Sequence, residues 1–236
     1  MDMELGHSFT QTESSAIGLL SADPILENDY FRRLESGSMP KADFVQSQLQ
    51  FFHAVDFFSR NLAALASRLP TSAGRAVLVH NLSEEHGLDE ENPAAGFRSQ
   101  FAHDRMFARF LETLNIDAKV LAAGVPEPAV RAFNLALLGA CSAESPGFAL
   151  ASLGMIEYAF ADVSALIGRR VVDLGWVKAD ELVHYSLHAE IDKRHAAELF
   201  EAAENTSEPT TSILGGLAFG RYIFDRLYID LIREKP

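Results

Sequence analysis

The chain has 236 residues, 48% of them hydrophobic, which is ample material for one buried core and suits a single domain. Its 20 basic and 33 acidic residues leave a net charge of −13, which argues against nucleic acid and against an anionic membrane surface, since both need a basic face. The single cysteine, Cys141, excludes an intramolecular disulfide and points to a reducing cytoplasm.

The first residues, MDMELGHSFTQTESSA, are polar and acidic, with neither the basic nor the apolar part of a signal peptide. Residues 1–13 read as a flexible tail ahead of a helical domain over 14–236. Asp23-Pro24 reads as the N-cap and first position of a short helix to about residue 34, broken by Ser36-Gly37-Ser38. Pro40 opens a long helix to about residue 68, in which Leu49, Phe52, Val55, Phe58 and Leu62 recur at three- and four-residue steps. A third helix is predicted over about 71–86, then an acidic loop rich in glycine and proline over 87–97, then a helix over about 99–114. Pro126 and Pro128 lead into a helix over about 127–140, and Ser145-Pro146 starts a long one to about 174. The last two are predicted over about 178–203 and 211–233. No apolar run approaches the roughly 20 residues of a membrane span, and no β-alternation or internal repeat is visible. The expected fold is all-α, a single-domain bundle of about seven helices.

Within HYSLHAEIDKRH, residues 184–195, a rotation of about 100° per residue puts Asp192 near +40° and His195 near −20° of His188, with His184 at the edge of the strip near −40°. Imidazoles and a carboxylate on one strip suit iron, manganese or zinc; a solvated polar face is the bland alternative. Glu157 lies among Leu153, Gly154, Phe160 and Ala161, and a carboxylate on so apolar a face needs a cation or a hydrogen-bonding partner. In NLSEEHG, residues 81–87, Glu85 shares a face with Leu78 and Leu82 and points inward. Glu84, one position round, is read as the decoy, and His86 as a helix-end histidine set against the dipole. His103 shares a face with Phe107 and Phe110; alone it reads as a core residue. Together, three carboxylates and three histidines facing inward from four helices form a dinuclear ligand set.

These segments resemble the heme-oxygenase-like diiron oxidases and oxygenases, relatives of the PqqC and TenA-type helical fold. The resemblance rests on Asn81-Leu82 ahead of Glu85, His103 downstream, Gly154-Met155-Ile156-Glu157-Tyr158, and the run His188-x3-Asp192-x2-His195. Phe51 to Leu65 also resembles the family's first core helix, so the likeness spans about residues 40–200. It implies that Glu85, His103 and His188 hold one Fe(II) and that Glu157, Asp192 and His195 hold the other, with Glu85 bridging. Manganese is the substitute metal. Eighteen positions separate Glu85 from His103, a wider spacing than the family's usual one, so His86 is the alternative ligand. The resemblance further implies O2 as co-substrate and a small carboxylate or amino-acid-like substrate, oxidised by C–C cleavage, desaturation or N-oxygenation in natural-product biosynthesis. It also implies a homodimer. The last helix, with Leu214, Leu217, Phe219, Tyr222, Ile223 and Leu227, carries more apolar surface than one face needs, an excess that a core uses equally well.

Phe52, His53 and Phe57 on the first core helix are candidates to line the substrate pocket. Arg98, Arg105 or Arg169 are candidates to meet a carboxylate through a bidentate pair. Three rivals are weaker on the sequence, since Cys141 has no base beside it and His7 lies in the stretch read as a tail. A thiaminase-like hydrolase would use Cys141 as nucleophile, heme degradation would need an axial histidine such as His7, and a helical metal-storage or interaction protein would favour paired E-x-x-H repeats. Glu157 has Phe160, not histidine, three residues on.

Overall fold

The computed structural model describes residues 9–88 and 92–232. It contains ten α-helices among the described residues and no strand beyond an isolated antiparallel bridge between Leu88 and Phe97. The helices are α1 (Gln11–Ala22), α2 (Asp29–Glu35), α3 (Lys41–Ala66), α4 (Ser72–Glu85), α5 (His103–Thr113), α6 (Ala118–Ala123), α7 (Pro128–Ala143), α8 (Pro146–Asp173), α9 (Val183–Glu204) and α10 (Thr210–Leu231).

Local chemistry sets the starts. Thr10, Asn28, Thr71 and Asp117 cap α1, α2, α4 and α6 by accepting from backbone N–H groups of the first turn, and proline opens α7 and α8. Several starts differ from expectation. Helix α1 begins at Gln11, inside the stretch read as a tail, because the Thr10 hydroxyl accepts from Glu13 N at 3.1 Å; residues 1–8, with His7, lie outside the described residues. Asp23 ends α1 instead of opening a helix, and Asn28, which accepts from Phe31 N, starts α2. Short α6 was hidden in a stretch too brief for periodicity to register.

Helix α8 is the axis of the bundle, packing against α7, α9 and α10. By length and composition alone it would cross a membrane, against the sequence expectation that no segment qualifies. Its most apolar 18-residue window is, however, 83% buried within this chain, as a core helix must be. Helix α9 approaches α8 most closely where Gly154 faces Phe200: a Cβ added at Gly154 would lie 2.7 Å from that ring. Close approach one turn before Glu157 draws that carboxylate towards the polar strip of α9. On the other side, a Cβ at Gly220 of α10 would lie 2.5 Å from the Ser152 carbonyl oxygen, so α10 also packs backbone to backbone. On α10, Leu217, Ile223 and Leu227 are buried in the core, and Leu214 and Tyr222 are exposed.

A candidate metal centre

Four helices bring the predicted ligands together. Glu85 comes from the end of α4, His103 from the start of α5, Glu157 from the middle of α8, and His188, Asp192 and His195 from α9. All six are buried. The return of His103 to Glu85 depends on Gly87, whose φ of +90° reverses the chain, and on Arg98 N donating to Gly87 O at 3.0 Å. A Cβ at Gly87 would meet the Arg98 backbone, so the reversal has room only for glycine. This loop absorbs the eighteen-position spacing. His103 Nδ1 lies 2.9 Å from Glu85 Oε1, and His86 caps α4 in solvent, away from the cluster.

One oxygen or nitrogen each from Glu157, Asp192 and His195 lies within 4.8 Å of the others, a spacing a single cation can span. His188 Nδ1 lies 2.8 Å from Asp192 Oδ1, leaving His188 Nε2 and Asp192 Oδ2 buried without any hydrogen-bond partner. Asn81 donates to Glu157 Oε1 at 3.4 Å. Buried polar atoms are nearly always paired, so open lone pairs within a cluster of buried carboxylates and imidazoles mark a site for a cation.

Titration behaviour agrees with that geometry. Burial, then the nearby Asp192 carboxylate, raises Glu157 to about 8. Burial raises Asp192 well above the ordinary carboxylate range and pushes His188 well below the usual imidazole value. For Glu85 and His103 burial opposes the charged forms, but their mutual attraction outweighs it, lowering the carboxyl and raising the imidazole. Without a cation the cluster holds protons in its place.

Glu84, read from sequence as a decoy, is part of the cluster. Its Oε2 lies 2.7 Å from His195 Nε2, and its Oε1 accepts from Arg194 at 3.0 Å. Burial alone would raise its carboxyl, yet the hydrogen bond and charge of His195, joined by Arg194, hold it at about 2. Burial would lower His195, yet its hydrogen bond to Glu84 and the carboxylates of Glu157, Glu84 and Asp192 raise it to about 9. The end of α4 is covered on both sides, by α5 and by α9, so adjacent residues both face inward. His184 was also passed over. It is fully buried, and neither ring nitrogen has a partner.

A cavity of about 50 Å³ adjoins the cluster, lined by Glu85, His103, Glu157, His184 and His188 and otherwise by apolar side chains. Helix α3 contributes Phe51, Ala54, Val55 and Phe58, the i, i+3, i+4, i+7 face. Phe52, His53 and Phe57 lie off that face and do not line the cavity, which corrects their assignment to the substrate pocket. Phe52 lines a separate surface groove, His53 Nε2 faces Gly124, and Phe57 lies beneath the Arg60 guanidinium. Arg169 pairs with Glu35 at 2.7 Å on the surface, Arg105 with Asp104, and Arg98 lies over the Phe101 ring; none reaches the cavity. An outer groove that includes Arg60, His86 and Asp104 shares Val55 and Glu85 with the cavity, so Glu85 stands between solvent and the interior.

An all-helical bundle closed around buried carboxylates and imidazoles defines a class of proteins built to hold metal within a helical core. The chain belongs to the iron-containing redox enzymes, whose family model matches residues 46–218. It is 23% identical over 175 residues to the 4-aminobenzoate synthase of Chlamydia muridarum, covering 74% of this chain and 70% of that one. Its fold is heme-oxygenase-like. It is similar to a CADD-like protein of Nostoc punctiforme, with TM-score 0.75, 16% identity and coverage of 94% of this chain and 95% of that one. It is also similar to a TenA homologue of Pseudomonas syringae, with TM-score 0.70, 16% identity and coverage of 95% and 92%.

Proposed function

We propose that this chain is an O2-dependent oxidase or oxygenase that holds two Fe(II) ions and acts on a small organic substrate in biosynthesis. The observation that carries the reading is the buried group of Glu157, Asp192 and His195, with ligand atoms within 4.8 Å of one another, together with the buried atoms His188 Nε2 and Asp192 Oδ2 that have no hydrogen-bond partner. Membership of an iron-containing redox family and similarity to a 4-aminobenzoate synthase support it. Glu85, His103 and His188 are the ligands proposed for one ion, and Glu157, Asp192 and His195 for the other, with Glu85 shared.

Iron held by these residues would supply the redox chemistry with O2. The protein's own groups fix the geometry. Asp192 Oδ1 accepts from His188 Nδ1–H, which fixes the imidazole and leaves His188 Nε2 and Asp192 Oδ2 as the atoms that would hold metal. Glu84 accepts from His195 Nε2–H, which selects the tautomer with a bare Nδ1 facing Asp192 and Glu157. The apolar walls keep bulk water from the reacting centre.

Cys141 hydrolysis has no support. The thiol is buried inside α7, and burial pushes it up to about 12, so no thiolate is available. Iron-reconstituted protein is expected to consume O2 in the presence of a reductant, and Glu157→Ala to lose that consumption. Equal O2 uptake by both, beyond the rate of free iron, would remove the cluster from the reaction.

A further inference from the structure

His184 precedes His188 by four residues on α9, so the two imidazoles rise from one face of the helix, a turn apart. Two histidines at this spacing on one helix commonly hold a single metal ion. Their rings stand 4.3 Å apart between centroids, and the His103 ring, from α5, stands 4.6 Å from His188. Two imidazoles bound side by side to one ion, at roughly 2.1 Å from nitrogen to metal, place their centroids about 4.5 Å apart.

The ring nitrogens distinguish His184 from a packed core histidine. The residue has no exposed surface, and neither nitrogen has a partner, although a buried imidazole carries a donor and an acceptor to be met. His188 Nε2 is open in the same way. Glu85, His103, His184 and His188 line one cavity, so the orphaned ring borders the same space as the three residues proposed for one ion. Its aromatic neighbours do not serve it. Phe107 stands perpendicular to it at 4.7 Å and Phe160 lies at 6.1 Å, while the Tyr185 hydroxyl is given to Gln48.

We propose that His184 is a further metal ligand, joining Glu85, His103 and His188 on the first ion. This assignment rests on the two-iron reading and makes the two positions unequal. The first gains three imidazoles beside the Glu85 carboxylate. The second has His195 with the carboxylates of Glu157, Asp192 and the shared Glu85. Imidazole suits iron and zinc, and carboxylate suits manganese and magnesium, so a softer ion fills the first position before the second. His184 also differs from the other histidines. His103 is met by Glu85, His188 by Asp192 and His195 by Glu84, whereas no carboxylate meets His184. A ligand without such a partner is held less firmly, so its loss should weaken the first ion without abolishing the position.

The probe is 113Cd(II) alone, titrated into the full chain with 15N-labelled histidine. A scalar coupling between cadmium and a ring nitrogen reports a direct bond, so the parent protein counts its own ligands without any substitution. The first equivalent should couple to His103, His184 and His188, and the second to His195. His184→Leu should weaken the first equivalent by about 10–100-fold and leave the second unchanged. Its metal-free form should melt no lower than the parent, since no hydrogen bond is lost, which separates a lost ligand from a damaged fold. Should that variant fail to fold, the couplings in the parent still decide. Two cadmium ions bound, with couplings to His103, His188 and His195 and none to His184, would overturn the proposal and leave the two-iron reading standing. A parent that binds no cadmium would overturn both.

Discussion

Tyr185 and His184 are neighbours on α9, both fully buried, and they sit in opposite states. Tyr185 heads a closed chain of hydrogen bonds: it donates to Gln48 Oε1, Gln48 Nε2 donates to the Tyr30 hydroxyl at 2.8 Å, Tyr30 meets Ser47 Oγ at 2.8 Å, and Ser47 donates to Phe44 O at 2.7 Å. His184, His188 and Asp192 all have buried nitrogen or oxygen atoms with no partner. Around Tyr185 the chain satisfies its buried polar groups from its own side chains and backbone. Where it leaves them open, a few ångströms away, the partner is to come from outside.

If that contrast is right, the site should weigh on the metal-free fold, and pH should expose it. Glu157, raised to about 8, and His195, raised to about 9, both hold protons in the folded state that the unfolded chain releases earlier. Folding then binds extra protons, and stability of the metal-free protein falls as pH rises, through Glu157 from about 4.5 to 8 and through His195 from about 6.5 to 9, by several kcal/mol in all. Calorimetric melts across that window should show Tm falling, with a shallower fall in Glu157→Gln. Iron affinity should rise over the same window, because metal displaces those protons. A Tm independent of pH would mean that the cluster is as well satisfied as the tyrosine chain.

The structural network should respond in the opposite sense. Gln48→Leu strands the Tyr185 hydroxyl and removes one of the two partners of Tyr30, and is expected to destabilise the fold by about 2 kcal/mol in denaturant melts, leaving metal stoichiometry unchanged. Glu84→Gln acts at the site without removing a ligand. It should weaken iron binding by about 10–100-fold with the number of equivalents intact, by calorimetric titration; an unaltered affinity would make Glu84 a bystander. The smallest effect belongs to Tyr228, whose hydroxyl is buried without a partner on the structural side. Tyr228→Phe should change stability by less than about 0.5 kcal/mol or raise it, since no hydrogen bond is lost.

The contrast also explains what could be read from sequence. Glu157 was legible because a carboxylate among Leu153, Phe160 and Ala161 needs a cation or a hydrogen-bonding partner, and the α9 strip because spacing alone aligns His188, Asp192 and His195. Glu84 was not, because a helical face separates only two sides, and the end of α4 is enclosed by α5 and α9 at once. The pocket face of α3 was misread by one position. Aromatic residues occupy 51, 52, 57 and 58, so composition does not say which of them turn inward; packing on α8 does, through the contact of Phe51 with Phe160 of the cavity wall. His53, among those aromatics, carried the look of a site residue but faces Gly124.

The most direct test is an anaerobic Fe(II) titration by calorimetry of the parent beside Asp192→Ala. Two equivalents for the parent and one for the variant are predicted, since Asp192 Oδ2 is an open ligand of one ion and Oδ1 orients His188 towards the other. No iron uptake by either protein, or the same uptake by both, would contradict the dinuclear centre.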